Sequence, residues 1–242
     1  ADYGLLYPLI KKLRQSQKLA LKLIATGSHL SERHGETVKM IQADGLTVDH
    51  NVQMSSESDS EHAVCGSIAD GLNGFSSLFD LSPPDLVVVL GDRYELLSVC
   101  IAALIHKIPV AHLHGGESTY GIIDEAVRHS VSKIAVLHFP SIEGYKNRII
   151  QLGEQPESVH VVGAIGLDNI RNMGLLSLDE LSRNLGIDFR KNIALVTYHP
   201  VTLDSHESAL QQMKEVLNAL LESNVVALVT MPNSDPGFSS IH

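Results

Sequence analysis

The order of apolar runs and helical segments is the feature that most limits how this chain can fold. Short runs rich in Val, Leu and Ile alternate with segments whose apolar residues recur at helical spacing. Strands that are apolar on both faces and separated by helices are typical of parallel sheets covered by helices. The sequence therefore predicts a doubly wound α/β fold, with strands at 19–26, 47–54, 85–91, 108–114, 135–140 and 158–163. Helices are predicted between them, at 4–16, 32–43, 59–79, 93–106, 121–133 and 142–152.

The same alternation starts again in the last third of the chain. A helix at 177–185, a strand at 192–199, a helix at 205–222 and a strand at 225–232 are predicted there. Two strands with their helices bury too little surface for a stable separate core. We therefore expect two domains, 1–167 and 168–242, with the second one incomplete in this chain.

Charge and composition narrow the classes of function. The formal net charge is −10 and 44% of the residues are hydrophobic, which favours a folded protein without a broad nucleic-acid-binding surface. The most apolar stretch, 96–113, is interrupted by His106, Lys107 and Pro109, so no membrane span is predicted. Cys65 and Cys100 are the only cysteines, and we expect buried free thiols in a reducing cytoplasm.

Carboxylates follow two consecutive predicted strands. Asp92 comes after the strand 85–91, and Glu117 comes after the strand 108–114 and a Gly-Gly pair. Parallel strands that follow each other along the chain are often neighbours, and ligands bind beyond their carboxyl ends. We therefore expect Asp92 and Glu117 above one edge of the sheet, with Asp124 opening the next helix.

Two other interpretations of these residues stay open at this point. Asp92 and Asp124 are also suited to helix N-termini, and the Gly115-Gly116 pair to a tight turn. His112 and His114 are two residues apart on a predicted strand, which places both on one face. With Glu117 as a third ligand, they form a candidate metal site of a hydrolase.

Five ordered motifs resemble the UDP-N-acetylglucosamine 2-epimerase family, and most closely its hydrolysing branch, which supplies sialic and legionaminic acid synthesis. The motifs span most of the chain: ATGSHLS (25–31), LGDRYE (90–95), AHLHGGE (111–117), IIDEAVRHSVSKIAVLHF (122–139) and LVTYHP (195–200). The initial ADYG is similar to the end of the family's first-strand loop.

The resemblance implies a fold, a reaction and a set of partners. The fold is two Rossmann-like domains of glycosyltransferase-B type, with the nucleotide held mainly by the second. The reaction is elimination of UDP across C1–C2 of the sugar, followed by addition of water with inversion at C2. It implies a UDP-sugar substrate, a homo-oligomer, and no metal or redox cofactor. From the net charge and the interrupted apolar stretch, we expect no nucleic-acid or membrane partner.

The resemblance also assigns roles to particular residues. Asp92, Glu117 and Asp124 correspond to acid–base groups, which suits a reaction that builds positive charge on the sugar ring. The substrate-binding residues that it implies are His29, His114, Arg128, His129 and His199.

One position departs from the family pattern. Many relatives have a glutamate where this chain has His114, so the acid–base role assigned to that position passes either to His114 or to Glu117. The departure also leaves two sugars open, N-acetylglucosamine and a 2,4-diacetamido-2,4,6-trideoxyglucose. The metal-dependent hydrolase and a sugar-nucleotide-binding module without catalytic activity remain the rival functions.

Overall fold

The computed structural model describes residues 2–31, 36–54, 60–199 and 206–230. Its seven described strands are β1 (Ile24–Thr26), β2 (His50–Val52), β3 (Val87–Leu90), β4 (Val110–Leu113), β5 (Leu137–Phe139), β6 (Ile193–Val196) and β7 (Val226–Val229). The described α-helices are α1 (Asp2–Gln15), α2 (Val38–Ala43), α3 (Glu61–Leu81), α4 (Glu95–Ile105), α5 (Ile123–Ile134), α6 (Glu143–Gln151), α7 (Gly166–Asn172), α8 (Leu178–Leu185) and α9 (His206–Glu222). Short 3₁₀ helices lie at Gly27–Leu30 and Pro156–Ser158.

Every described strand pair is parallel. β1 pairs with β2, β3–β4–β5 form a three-stranded sheet, and β6 pairs with β7. Helices separate the strands along the chain, so the predicted α/β fold with parallel sheets is confirmed. The order β3–β4–β5 also confirms that strands consecutive in sequence are neighbours in this sheet.

Some predicted elements differ from the observed ones. The prediction of a strand at 158–163 is wrong. This segment pairs with β5 only through a single bridge between His138 and Val159. Two further hydrogen bonds, from His160 N to His138 O (2.9 Å) and from Val162 N to Pro140 O (3.0 Å), keep the segment beside β5. The predicted helix 32–43 is observed only over α2, and its residues 32–35 lie outside the described residues. Likewise, 231–232 of the predicted last strand are not described.

The chain divides into two compact units, Ala1–Arg171 and Asn172–His242. In the first unit, all four residues of β4 are buried, and Phe75, Phe79 and Val131 of the flanking helices pack in the same core. Burial of one such side chain contributes roughly 1.5–3 kcal/mol to the stability of the fold. This sheet is therefore the stable base on which the loops after its strands are built. In the second unit, the residues of β6 and β7 are half-buried or exposed.

The two cysteines differ in their environments. Cys100 lies in the core of the first unit, where burial raises the pKa of its thiol to about 12. Cys65 is exposed on α3, so the expectation of two buried thiols is wrong for this residue. It points away from the core because the neighbouring positions Val64 and Ser67 form the buried face of the helix.

None of the helices in the described ranges combines the length and the apolar character that a membrane crossing requires.

Candidate active site

The carboxyl ends of β3 and β4 meet at one edge of the sheet. Leu90 is paired with Leu113 at the last position of the two strands, and Gly91 N donates to Leu113 O at 3.0 Å. Asp92 follows directly on one side and the loop from His114 to Glu117 on the other. The prediction that Asp92 and Glu117 lie above the same edge of the sheet is therefore confirmed.

The Gly115-Gly116 pair lets this loop pack closely on its supports. A Cβ at Gly115 would lie 2.8 Å from Nδ1 of His112, and a Cβ at Gly116 would collide with the backbone carbonyl of Tyr145. Gly116 also has φ +79°, a conformation that L side chains rarely adopt. Arg148 donates to the carbonyl of Gly116. The pair thus does more than form a turn, because α6 holds the loop that carries Glu117.

Arg128 joins the two strand ends. Its guanidinium, with a side chain 3% exposed, forms an ion pair with Asp92, and Nε lies 3.0 Å from Oδ2 of that carboxylate. Nη1 donates to Oε2 of Glu125 at 2.9 Å, and Nη2 donates to Oγ1 of Thr119 at 3.2 Å. A buried arginine is stable only when its donors are paired, so these contacts fix the direction of Asp92.

Glu125 organises the loop that follows Glu117. It accepts hydrogen bonds from Thr119 N (2.6 Å), from the Ser118 hydroxyl (3.0 Å) and from His129, whose Nε2 lies 3.1 Å from Oε1. Although burial alone would raise the pKa of Glu125, these hydrogen bonds lower it below the ordinary value. The carboxylate is therefore ionised at neutral pH and pairs with Arg128.

Glu117 is held by His114, which lies three residues before it in the same loop. Nδ1 of His114 lies 3.2 Å from Oε1 of Glu117. This hydrogen bond lowers the pKa of Glu117, and burial opposes the shift. The electrostatic interactions with His114 and Arg128 and a hydrogen bond from Ser141 lower the pKa further. At neutral pH Glu117 is an ionised, half-buried carboxylate that can accept a proton.

The remaining predicted site residues occupy different places. Asp124 lies in the first turn of α5 and is half-buried, and His129 is one turn further along. His29 lies in the 3₁₀ helix after β1, where its Nδ1 is 2.7 Å from Oγ1 of Thr37 and burial lowers its pKa. His199 follows β6 in the second unit and is exposed.

The metal-site alternative is wrong for the three residues proposed. His112 is fully buried, with Nε2 donating to Gly91 O at 2.7 Å and Nδ1 3.1 Å from the hydroxyl of Ser132. Burial lowers its pKa to about 4, so the ring is neutral. His114 instead contacts Glu117 and Ile165. In the ranges that the structure describes, no three His, Cys, Asp or Glu side chains are grouped to hold a metal ion.

Three side chains of the site were missed from the sequence. Glu125 had a usable signal, because Arg128 and His129 follow it at i+3 and i+4 on a helix. Ser141, two residues after the end of β5, contacts Glu117 through the tertiary fold, for which the sequence offers no signal. Glu95, 8% exposed, pairs with Arg93 and packs against Gly27, which places the loop after β1 beside the start of α4.

Comparison with known proteins agrees with the motifs. A family model described as UDP-N-acetylglucosamine 2-epimerase matches residues 11–242. The UDP-N,N'-diacetylbacillosamine 2-epimerase (hydrolyzing) of Legionella pneumophila is 38% identical over 237 residues, covering 98% of this chain and 62% of that protein. The UDP-N-acetylglucosamine 2-epimerase of Neisseria meningitidis serogroup B is 30% identical over 244 residues, covering 100% of this chain. The chain spans 62% of the length of each of these two relatives.

Solved structures support the fold. The Methanocaldococcus jannaschii UDP-GlcNAc 2-epimerase in complex with UDP-GlcNAc and UDP has a TM-score of 0.79 at 19% identity, covering 98% of this chain and 64% of that one. The Neisseria meningitidis UDP-GlcNAc 2-epimerase bound to UDP-GlcNAc has a TM-score of 0.73 at 17% identity, covering 100% of this chain and 68% of that one. These likenesses confirm the predicted α/β fold of glycosyltransferase-B type. Since the family model and the relatives cover nearly all of the chain, it belongs to the UDP-N-acetylglucosamine 2-epimerase family.

Proposed function

We propose that the protein is a hydrolysing UDP-sugar 2-epimerase, which releases UDP and a 2-epimerised sugar of the N-acetylmannosamine type. Family membership supports the reaction class, and two relatives at 38% and 37% identity are named as hydrolysing 2-epimerases. Fold neighbours are in complex with UDP-GlcNAc and with UDP. These likenesses support a UDP-sugar as the substrate.

The observation that carries the proposal is the meeting of Asp92 and Glu117 at adjoining strand ends. The C2 hydrogen of the sugar is only weakly acidic, so the C1–O bond breaks before this proton is removed. UDP leaves with the electron pair of that bond. Positive charge then builds on the ring, and nearby carboxylates stabilise it. One carboxylate takes the C2 proton while the C1–C2 double bond of a glycal forms. In the second half of the reaction, water adds to the glycal: its hydroxyl group binds C1 and a proton binds C2. This proton arrives on the face of the ring opposite to the one from which the first proton was removed, so C2 is inverted.

Within this scheme, Glu117 is the proposed base and Asp92 and Asp124 are the other acid–base groups. The support for Glu117 is its ionised, hydrogen-bonded and half-buried state. Asp92 is held by Arg128, and Asp124 lies at the positive end of the α5 dipole, which favours an ionised carboxylate. His129 supports this arrangement through Glu125.

We assign the two parts of the substrate to two parts of the chain. Residues 1–167 form the domain with the acid–base groups, and residues 168–242 begin the nucleotide-binding domain. His29, His114, Arg128 and His129 are the proposed substrate-binding residues of the first domain. His199 is the proposed contact of the second domain with the sugar or the phosphates.

Two sugars are candidates. UDP-N-acetylglucosamine is the substrate named for the Neisseria relative at 30% identity. The diacetamido sugar, UDP-2,4-diacetamido-2,4,6-trideoxyglucose, is favoured by the names of the Legionella and Campylobacter relatives, which are 38% and 37% identical. A relative at 39% identity, the polysialic acid biosynthesis protein P7 of Escherichia coli, favours the N-acetylmannosamine route.

The test uses the full-length protein with each UDP-sugar in separate reactions. Release of UDP is followed by a coupled assay, and the sugar product is identified by NMR. We expect release of UDP together with a free manno-configured sugar, from one of the two substrates far faster than from the other. Binding of UDP-sugar without release of UDP would instead support the sugar-nucleotide-binding module, and activity lost with a chelator and restored by zinc would contradict the proposed metal-free mechanism.

A cytoplasmic location and a homo-oligomer complete the proposal. Both described cysteines are free thiols, which suits a reducing compartment. Leu81 and Ile105, 85% and 71% exposed, are large apolar side chains on the first unit that contact between subunits would cover. Light scattering of the full-length protein measures the oligomeric state.

A further inference from the structure

His114 has an unusual backbone position at the end of β4. It follows Leu113, its N–H donates to Phe139 O at 3.1 Å, and its φ is +60°. A residue with a Cβ in this conformation costs about 1 kcal/mol or more, and such costs are concentrated at functional sites. The conformation turns the His114 side chain toward Glu117 and Ile165 and away from the partners of His112.

The hydrogen bonds of His114 define its tautomer. The backbone N–H of Ile165 donates to Nε2 of the ring at 3.3 Å. A backbone amide is only a donor, so Nε2 must be the unprotonated nitrogen. A neutral imidazole then carries its proton on Nδ1, which lies 3.2 Å from Oε1 of Glu117. Nδ1 is therefore the donor in the contact with this carboxylate.

We propose that His114 is a positioning residue in the neutral Nδ1–H tautomer, which Ile165 fixes and which holds Glu117 in place as the base. This inference depends on the proposed role of Glu117, and it replaces direct substrate contact as the role of His114. The sequence left the acid–base role at this loop to either His114 or Glu117, and the inference assigns it to Glu117. The Nε2 lone pair is occupied by the Ile165 amide, and the Nδ1 proton is shared with Glu117, so His114 has no free lone pair for the C2 proton.

The surroundings of Glu117 agree with this assignment. Ser141, two residues after the end of β5, gives the carboxylate a second hydrogen-bond donor, and Arg128 adds a positive charge nearby. A carboxylate that accepts two such bonds is oriented and ionised, and the Glu117 side chain is still 33% exposed.

The tautomer itself is measured by ¹⁵N NMR on full-length protein labelled at histidine, without substrate. The spectrum of the variant His114→Asn identifies the His114 signals by their loss. We expect a protonated Nδ1 and an unprotonated Nε2 at neutral pH. A protonated Nε2, or a ring protonated on both nitrogens, would overturn the inference, and neither result depends on the enzyme being active.

A matched pair of variants tests the positioning role. In His114→Asn, the amide nitrogen lies near the position of Nδ1 and keeps the donor to Glu117, and asparagine also tolerates positive φ. In His114→Gln, the amide reaches the position of Nε2 and keeps only the contact with Ile165. We expect kcat to fall by roughly tenfold in the first variant and by about a hundredfold or more in the second, with little change in KM.

The urea midpoints of both variants give the control for folding. Equal loss of kcat in the asparagine and glutamine variants, at equal stability, would contradict the positioning role and favour His114 as the base. Normal turnover in Glu117→Gln would remove the proposed function of Glu117, whatever the state of His114. Failure of the positioning role of His114 and failure of the proposed function of Glu117 therefore give different results.

Discussion

The interior of the three-stranded sheet and its carboxyl edge both carry histidines and hydroxyl groups, but their surroundings differ. Inside the sheet, His112, Ser132 and His138 are 0% exposed, and the first two bond to each other. At the edge, the side chains of His114 and His129 are 19% and 24% exposed. The same residue types therefore stabilise the fold in one region and remain accessible to a ligand in the other, only a few residues away along the chain.

This comparison predicts that changes inside the sheet alter stability and changes at its edge alter turnover. His112 and His114 show the contrast most directly, because one intervening residue separates them. His112 bonds to the backbone of the neighbouring strand, whereas His114 leaves the strand and contacts Glu117. Residue type alone does not separate the two roles.

The largest expected effect is at the edge. Asp92→Asn and Glu117→Gln each remove a proposed acid–base group, and we expect kcat to fall by about 10²–10⁴-fold. The measurement is release of UDP by full-length protein, with the urea midpoint as the control. A midpoint close to that of the wild type is expected for Glu117→Gln, and full activity in both variants would contradict the mechanism.

The next effect is inside the sheet. His112→Phe removes the bonds to Gly91 O and to Ser132, and leaves both groups buried without their partner. We expect the free energy of unfolding to fall by roughly 2–4 kcal/mol. Urea denaturation measures it, with Ser118→Ala as the edge control, for which a loss of about 1 kcal/mol or less is expected. Equal losses in both variants would break the distinction between the two regions.

The pH dependence of stability tests whether His112 is a buried, neutral ring in the folded protein. Burial lowers the pKa of His112 from 6.5 to about 4, so between these values the unfolded chain binds a proton that the native ring does not. Stability is therefore fully present above pH 6.5 and falls as the pH decreases toward 4. Each tenfold difference in proton affinity is worth about 1.4 kcal/mol, so the loss approaches roughly 3 kcal/mol.

The control for this pH effect is His112→Gln, whose amide keeps a donor for Gly91 O but does not titrate. The difference between the two urea-midpoint curves isolates His112 from the other titrating groups. We expect the curve of the variant to be flatter between pH 6.5 and 4. Parallel curves would show that His112 does not titrate as a buried neutral ring.

The smallest effect concerns Glu125, which supports the edge without being a proposed proton carrier. In Glu125→Gln, the ion pair with Arg128 becomes a neutral contact, so Asp92 is held less firmly. We expect kcat to fall about tenfold. Glu61→Gln is the matched control, since Glu61 is also in the first turn of a helix but is exposed. A similar effect in both variants would remove the positioning role of Glu125.

The sequence predicted the sheet better than the site. Apolar runs predicted β3 and β4, and the rule for consecutive parallel strands correctly brought Asp92 and Glu117 to one edge. The sequence could not show that the backbone of His114 has positive φ, because that follows from tertiary contacts with Phe139 and Ile165. The single bridge at Val159 likewise depends on how far the chain stays beside β5.

Side chains with several partners were the hardest to predict. The sequence offers two adjacent carboxylates, Asp124 and Glu125, at the start of α5. In the structure, Glu125 bonds to Arg128, to His129 and to the loop before the helix. Their helical spacing was a signal for the first two contacts, but the loop contact requires the path of residues 118–119.

The central claim is that carboxylates at adjoining strand ends exchange the hydrogen at C2 of the sugar. The most direct test is the reaction of full-length protein in deuterated water, with the released sugar examined by ¹H NMR. The account predicts deuterium at C2 of a manno-configured product, and loss of that product with Glu117→Gln. A released sugar that keeps its original C2 proton would contradict it.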